Sequence, residues 1–420
     1  MFRRQVTLMN FILYAVPFFF VLIAVELLAD RWRKVSNYRV ADAINSLGTG
    51  VLSTTTGLLT KGVGLVSYAF ALEHLALWQL PAQSVWVWVF AFVAYDLCYY
   101  WLHRMGHERN ILWAAHSVHH QSEDYNLSTA LRQTSTGFLL SWIFYLPLAV
   151  IGVPLVVFVA VASLNLLYQF WVHTRHIPKL GWFEQVFVTP SNHRAHHAQN
   201  LIYMDRNYGG VFIVWDRLFG TFQEELDSDP PVFGVTTPLR SWNPIWANLQ
   251  FYARLASDAR HTASWKDKLR IWFMRTGWRP ADVAQMHPIE KPDLGQFCKY
   301  EVPISLARQL YVGVQFSLYT LLGSFLLSNG ETLPLPALVL GWGWVAFGLF
   351  VFGAALEDRP SAMKLEGLRL AANLPLMAVA PVVGLWQVSA LGWVMTLAYT
   401  ALSAAALHGA RVRITRLEGS

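Results

Sequence analysis

The chain has 420 residues, 55% of them hydrophobic and only 14% charged, against about 25% charged in an average soluble domain. A mean hydropathy of +0.35, together with 19 Trp and 16 Tyr, is the composition of a polytopic membrane protein that anchors its helices at the water interface. Two cysteines, Cys98 and Cys298, exclude a disulfide framework, a Cys-ligated zinc site and an iron–sulfur cluster. Any metal is therefore held by nitrogen and oxygen. The net charge of +6 lies in loops between apolar spans and forms no aromatic-interleaved stripe, which argues for membrane topology and against nucleic acid.

A spanning helix needs about 20 mostly apolar residues. Arg3 and Arg4 precede an apolar run too long for a signal-peptide core and followed by Arg31, Arg33 and Lys34. An uncleaved first span over residues 9–29 is expected. Further spans are expected at 47–72 and 84–102. Lys61 in the first of these either lines the bundle interior or marks a helix broken at Gly57, Gly62 and Gly64. The stretch 137–172 carries Pro147, Gly152 and Pro154 at its middle, which predicts a helical hairpin that enters and leaves on one side. The polar segment 173–304 holds 15 of the 32 Lys and Arg, so the positive-inside rule makes it cytoplasmic. Loop 103–136, Arg31 to Arg39, Arg359 to Arg369 and the tail Arg411, Arg413 and Arg416 fall on that same side, and only Arg3 and Arg4 do not. Four last spans are expected at 305–327, 333–353, 370–387 and 389–408. The expected fold is all-α: a polytopic membrane bundle with a cytoplasmic histidine-rich di-metal cap. A catalytic part, 1–300, holds the histidine boxes of 103–197, and 301–420 forms a four-span membrane bundle.

Ten of the 14 histidines lie between positions 103 and 197, where an even scatter would put about three, so the clustering needs a cause. Their spacing supplies it: His103 and His107 in HRMGH, His116, His119 and His120 in HSVHH, His193, His196 and His197 in HRAHH. Residues three and four apart share one helix face, so each box can aim two or three imidazoles at one point. So many neutral imidazoles are too many for one ion, and two metals are the economical count. His173, at the end of the hairpin, can face the same site and is a further expected ligand; His176 stays open. His74, His261, His287 and His408 lie apart and default to structural or solvent roles.

Zinc prefers four ligands and hydrolytic chemistry, usually with the carboxylate base of H-E-x-x-H, and no such motif occurs. Two histidine-rich iron ions at a membrane surface suit O₂ activation, because iron supplies electrons that zinc cannot. The expected reaction is hydrogen abstraction from a lipid C–H, with two electrons from an outside donor. A metal transporter would show ionisable residues inside spans and repeated halves; here the ligands cluster outside the spans and no repeat is visible. Desaturation differs from hydroxylation by local geometry that sequence does not show.

Beyond the boxes, SEDYNLSTALRQT after the second, NLLYQFWVHT, TPSNHRAHH and YMDRNYGGVFIVWDRLFGTFQEE carry a wider match. Over about residues 10–245 the chain resembles the fatty acid hydroxylase (sterol desaturase) superfamily, and within it the alkylglycerol monooxygenase branch. The resemblance implies tetrahydrobiopterin-dependent cleavage of ether lipids: hydroxylation of the ether-bearing carbon gives a hemiacetal that collapses to aldehyde and glycerol. It maps the family's metal-site histidines onto His103, His107, His116, His119, His120, His173, His193, His196 and His197, and its acidic residue onto Glu108. A lipid substrate, the membrane and, without pterin, a redox partner are the implied partners. Two positions depart from the family pattern: Arg175 stands where a Glu commonly follows His-Thr, and Asn192 where a His often precedes the third box. Asp124, Tyr125 and Asn126 either line the site or cap a helix. Residues 205–210 predict a turn, and Trp215 and Phe219 after it are expected to pack rather than touch substrate.

Overall fold

The computed structural model describes residues 11–289 and 293–417. Arg3 and Arg4, the Lys61 side chain, the His408 ring and the side chains of Arg411, Arg413 and Arg416 lie outside the described residues. Among the described residues every regular element is helical, and β pairing is limited to three isolated bridges. Helices Val85–Glu108, Leu306–Asn329, Leu335–Leu356 and Ala390–Leu407 are long and apolar enough to cross a membrane. The chain is a multi-pass, all-α integral membrane protein.

Three expected spans take instructive forms. Helix Val40–Leu75 runs unbroken through Gly57, Gly62 and Gly64; glycine costs a helix only about 1 kcal/mol against alanine and removes no backbone hydrogen bond, so the second of the two alternatives for Lys61, a broken helix, does not occur. The expected span at 370–387 is instead two short helices, Ala362–Ala371 and Asn373–Val379. Pro375 has no N–H to offer the Ala371 carbonyl, and Pro381 none for Met377, so neither helix extends. The 137–172 stretch splits at its breakers into two 3₁₀ turns, Gly137–Leu139 and Ser141–Tyr145, the short helix Leu146–Ile151 and the longer helix Leu155–Trp171. Gly152 takes φ +97°, and a Cβ there would sit 1.8 Å from the Trp78 carbonyl oxygen, so only glycine fits the turn.

The chain forms two compact units. One comprises residues up to Arg39, Thr60–Leu239 and Asn248–Lys299; the other comprises Val40–Leu59, Arg240–Ala247 and Tyr300 onward. The core of the second unit gathers Val312, Phe316, Val345, Leu349 and Phe352. Within the first, Ala91 and Tyr95 of helix Val85–Glu108 pack with Leu148, Val153, Val157 and Val161.

The polar interior of this first unit positions everything that follows. Asp96 is fully buried near the middle of a spanning helix, where an uncompensated carboxylate is expensive. It accepts from Asn165 Nδ2 at 2.6 Å, from the Val211 and Phe212 amides at 2.9 Å each, and from Trp215 Nε1 at 3.0 Å. One side chain thus ties the first box's helix to helix Leu155–Trp171 and to the loop after the third box. Asp96→Ala leaves these buried donors unpaired, at about 1–3 kcal/mol for each that finds no other acceptor, and is expected to show as a large fall in the melting temperature of detergent-solubilised protein. An unchanged melt would show that the anchor is dispensable.

Candidate metal centre

The three boxes come together because two bends are held in place. Helix Val85–Glu108 ends at Arg109 in an extended conformation, and helix Asn110–His120 starts at once. Asn110 Nδ2 holds that corner by donating to the Ile271 and Trp278 carbonyls at 2.8 and 3.2 Å. The third box sits on helix Pro190–His196, opened by Pro190 and a capping box in which Thr189 and Asn192 each accept from the other's backbone N–H. Asn192, which departs from the family pattern, therefore completes the cap that starts this helix.

The nine expected ligands gather into two groups. His103, His107, His116, His120 and His196 form one; His119, His173, His193 and His197 form the other, and within each group the candidate ligand nitrogens lie within 4.8 Å of one another. Each i,i+4 pair stays in one group, while the middle residue of each H-x-x-H-H box, His119 or His196, crosses to the other. A single box therefore serves two points rather than one. His120 and His197, in different groups, stack at 4.2 Å between ring centroids, so the groups are contiguous.

The tautomers follow from the outer hydrogen bonds. His103 Nδ1 donates to Tyr208 O at 2.8 Å, His119 Nδ1 to Arg132 O at 2.9 Å, His173 Nδ1 to Gln169 O at 2.8 Å and His196 Nδ1 to Arg206 O at 2.8 Å. A carbonyl only accepts, so Nδ1 carries the proton and Nε2 presents a lone pair inward. The inward nitrogens crowd one another: the His173 and His119 lone pairs lie 3.2 Å apart, His193 Nε2 lies 3.0 Å from His173 Nε2, and His107 and His116 lie 3.2 and 3.1 Å from His120 by the same atoms. Two unprotonated nitrogens repel at that distance, whereas ligands at right angles around one ion with bonds of about 2.1 Å stand about 3 Å apart. The inward nitrogens of His103 and His196 have no protein partner. The donor set fits two cations.

Burial keeps these rings neutral, as metal ligation requires. It lowers His119 to about 4 and His196 to about 3, and drives His116, His120, His173, His193 and His197 well below the usual 6.5, with neighbouring imidazoles adding to the effect.

The remaining expected residues divide. Glu108 Oε1 accepts from Arg104 Nε at 2.8 Å and is absent from both histidine groups. His176 Nε2 bonds Asp30 Oδ1 at 2.7 Å, outside the groups. Tyr125 lines the site, stacked at 5.7 Å on His173, while Asn126 caps the short helix Leu127–Ala130 by accepting from Ser128 N. Asp124 does neither and pairs with Arg39 and Lys299. Trp215 bonds Asp96, and Phe219 stacks on Tyr100 at 5.2 Å. Arg175 lies over the Phe233 ring.

Sequence reasoning missed the supports. Arg132, 1% exposed, donates from Nε to Val118 O at 2.6 Å and so fixes the carbonyl that His119 needs. Asp216 accepts from the Tyr208 and Gly209 amides at 2.7 and 2.8 Å; its carboxyl is raised to about 6, chiefly by burial. It folds the 205–210 turn, with Asp205 and Asn207 at φ +58°, whose Arg206 and Tyr208 carbonyls hold His196 and His103. A cavity of about 120 Å³ reaches His103 and His116 between apolar Leu102, Leu112, Ala115 and Leu139, with Thr134, Thr136 and Tyr252 also in its wall.

A family model described as fatty acid hydroxylase matches residues 88–221, which contain all nine histidines. The alkylglycerol monooxygenase of Homo sapiens is 37% identical over 363 residues, 86% of this chain and 81% of that protein. That of Danio rerio is 38% identical over 366 residues, 84% and 79% respectively, and that of Xenopus tropicalis 35% over 356, again 84% and 79%. The chain belongs to the alkylglycerol monooxygenase family. It is a membrane-embedded oxidoreductase of the monooxygenase kind, with two histidine clusters suited to a di-metal site. No solved structure matches it significantly.

The neutral imidazoles have a measurable consequence. Their folded pKa values lie below 6.5, so on acidification the unfolded chain takes up protons first. Stability is complete above pH 6.5 and falls below it, down to about 4 for His119 and about 3 for His196, at about 1.4 kcal/mol per pH unit for each such ring. The melting temperature of metal-free protein is expected to drop steeply between pH 7 and 5; a flat profile would contradict the buried neutral cluster.

Proposed function

We propose that the chain is a di-iron monooxygenase that hydroxylates the ether-bearing carbon of an alkylglycerol. The observation that carries this reading is the largely apolar cavity that ends on His103 and His116. It gives an alkyl chain a dry approach to the five-histidine group and excludes bulk water from the reacting carbon. His103, His107, His116, His120 and His196 hold one ion; His119, His173, His193 and His197 hold the other. Two iron ions supply O₂ activation and the oxidising power to attack a C–H bond, which zinc lacks. The Thr134, Thr136 and Tyr252 hydroxyls offer hydrogen bonds to a glycerol head.

One oxygen atom enters the C–H bond and the other leaves as water, with two electrons and two protons from a donor for which tetrahydrobiopterin is the candidate. The hemiacetal then breaks its former ether bond to give a fatty aldehyde and glycerol. Glu108 shares the helix of His103 and His107, and its ion pair with Arg104 gives it a positioning part. Catalysis is assigned in this reading to the part before residue 300, and the excess of Lys and Arg in its polar loops supports a site on the cytoplasmic face.

Protein loaded with Fe(II) and given O₂ and tetrahydrobiopterin is expected to release fatty aldehyde from an alkylglycerol; no aldehyde, with turnover of an acyl lipid or sterol, would overturn the substrate. Leu139→Trp is expected to fill the cavity and lower kcat/KM at least about tenfold, equivalent to about 1.4 kcal/mol, with metal content intact. Loss of metal in that variant would place Leu139 in the metal site instead. His193→Ala is expected to lower bound iron from about two ions per chain towards about one, and undiminished binding would remove the four-histidine site.

A further inference from the structure

The second unit contains a polar cluster that the metal chemistry does not use. Arg369, fully buried, makes a two-pronged ion pair with Glu366, Nε to Oε2 and Nη2 to Oε1 at 2.7 Å each. Its other donors reach Tyr319 and Tyr399 hydroxyls at 3.1 and 3.0 Å and Gln315 Oε1 at 2.8 Å. All five guanidinium protons are thereby spent. Buried charge among membrane-spanning helices is costly and ordinarily marks a functional place.

Gln315 and Tyr399 of this cluster line a groove of about 600 Å³. Its walls come from helix Leu306–Asn329, at 307, 310, 311, 314, 315 and 318, and from helix Ala390–Leu417, at 399, 402, 403 and 406. Both sets follow the three-and-four spacing of a single helix face, so the groove runs along two helices. Leu310, Val314, Leu318 and Leu402 make its rim apolar and are all exposed. Tyr311, Gln315, Tyr399 and Ser403 make its floor polar.

The hydrogen bonding of that floor decides what it can hold. Arg369 and Glu366 cancel, and the guanidinium has no proton left for an anion. Gln315 Nε2 donates to Ser403 Oγ at 3.0 Å, which leaves the Ser403 hydroxyl proton and the second Gln315 amide proton to spare. Tyr311 donates to Glu366, leaving its oxygen as an acceptor. An uncharged head with hydroxyl or carbonyl groups uses these positions; a phosphate or carboxylate finds no counter-charge. Tyr311 and Gln315 stand about 8 and 14 Å along the helix from Leu306 at 1.5 Å per residue, within the half-thickness of about 15 Å of a hydrocarbon core, where an unpaired hydroxyl gains most from a protein partner.

We propose that this groove binds a neutral, hydroxyl-bearing single-chain lipid, its head on Ser403, Gln315 and Tyr311 and its tail along Leu310, Val314 and Leu318. The site is independent of the histidines. The test uses the full chain in phosphatidylcholine nanodiscs, with and without iron, and a monoacylglycerol carrying a diazirine in its chain. After irradiation, label is expected to concentrate on residues 306–329 and 390–407, equally in both metal states. Unlabelled monoacylglycerol is expected to displace it better than fatty acid or phosphatidic acid. Ser403→Ala is expected to weaken displacement by monoacylglycerol about three- to tenfold, the worth of one neutral hydrogen bond, and Ala406→Trp to remove the concentrated label. Label spread evenly over all lipid-facing helices would mean ordinary bilayer contact and overturn the site. Equal displacement by the acidic lipids would overturn the neutral head group.

Discussion

Everything in the catalytic unit depends on a hydrogen bond from an imidazole Nδ1–H to a backbone carbonyl. Four such bonds, from His103, His119, His173 and His196, decide which nitrogen carries the proton and so which points inward. A carbonyl can do this only if its own peptide is fixed. Arg132 fixes one through Val118, and Asp216 fixes another by gripping the Tyr208 and Gly209 amides. Helix Phe11–Arg33 adds a further clamp: buried Glu26 accepts from the Leu127 amide at 2.8 Å and from Thr174 Oγ1 at 2.5 Å, tying the segment after the second box to the residue beside His173.

These supports are themselves polar groups inside a largely apolar protein, so each is satisfied by several partners rather than one. Asp96 is the fullest case, with four donors from two separated stretches of chain. Such multiplicity rigidifies. It holds the imidazoles close together, with the His119 and His173 lone pairs 3.2 Å apart, a separation that favours a cation between them.

The boxes were legible because helical spacing is local: i,i+4 pairs such as His116 and His120 must share a face. The resemblance covered the catalytic part and pointed to the family that the comparisons then established. Less visible was the division of labour within a box. Whether His119 joins His116 or crosses to His173 depends on where helix Leu155–Trp171 ends, which is a tertiary fact. The carbonyl partners were invisible because a backbone oxygen leaves no mark in a sequence. Asp96 had a usable signal, a lone carboxylate inside an apolar span, and so did the Arg369–Glu366 pair. The expected span at 370–387 failed because its composition is apolar enough while Pro375 and Pro381 each remove a helical hydrogen bond. Asn192 and Arg175, departures when set against the family, have local uses: one completes a helix cap and the other lies over Phe233.

The central claim is that nine histidines hold two cations, five around one and four around the other. Anomalous scattering at the iron edge from crystals of the iron-loaded protein tests it most directly. The account predicts two peaks per chain, one enclosed by His103, His107, His116, His120 and His196 and one by His119, His173, His193 and His197. A single peak, or a peak lying outside these two sets of nitrogens, would contradict it.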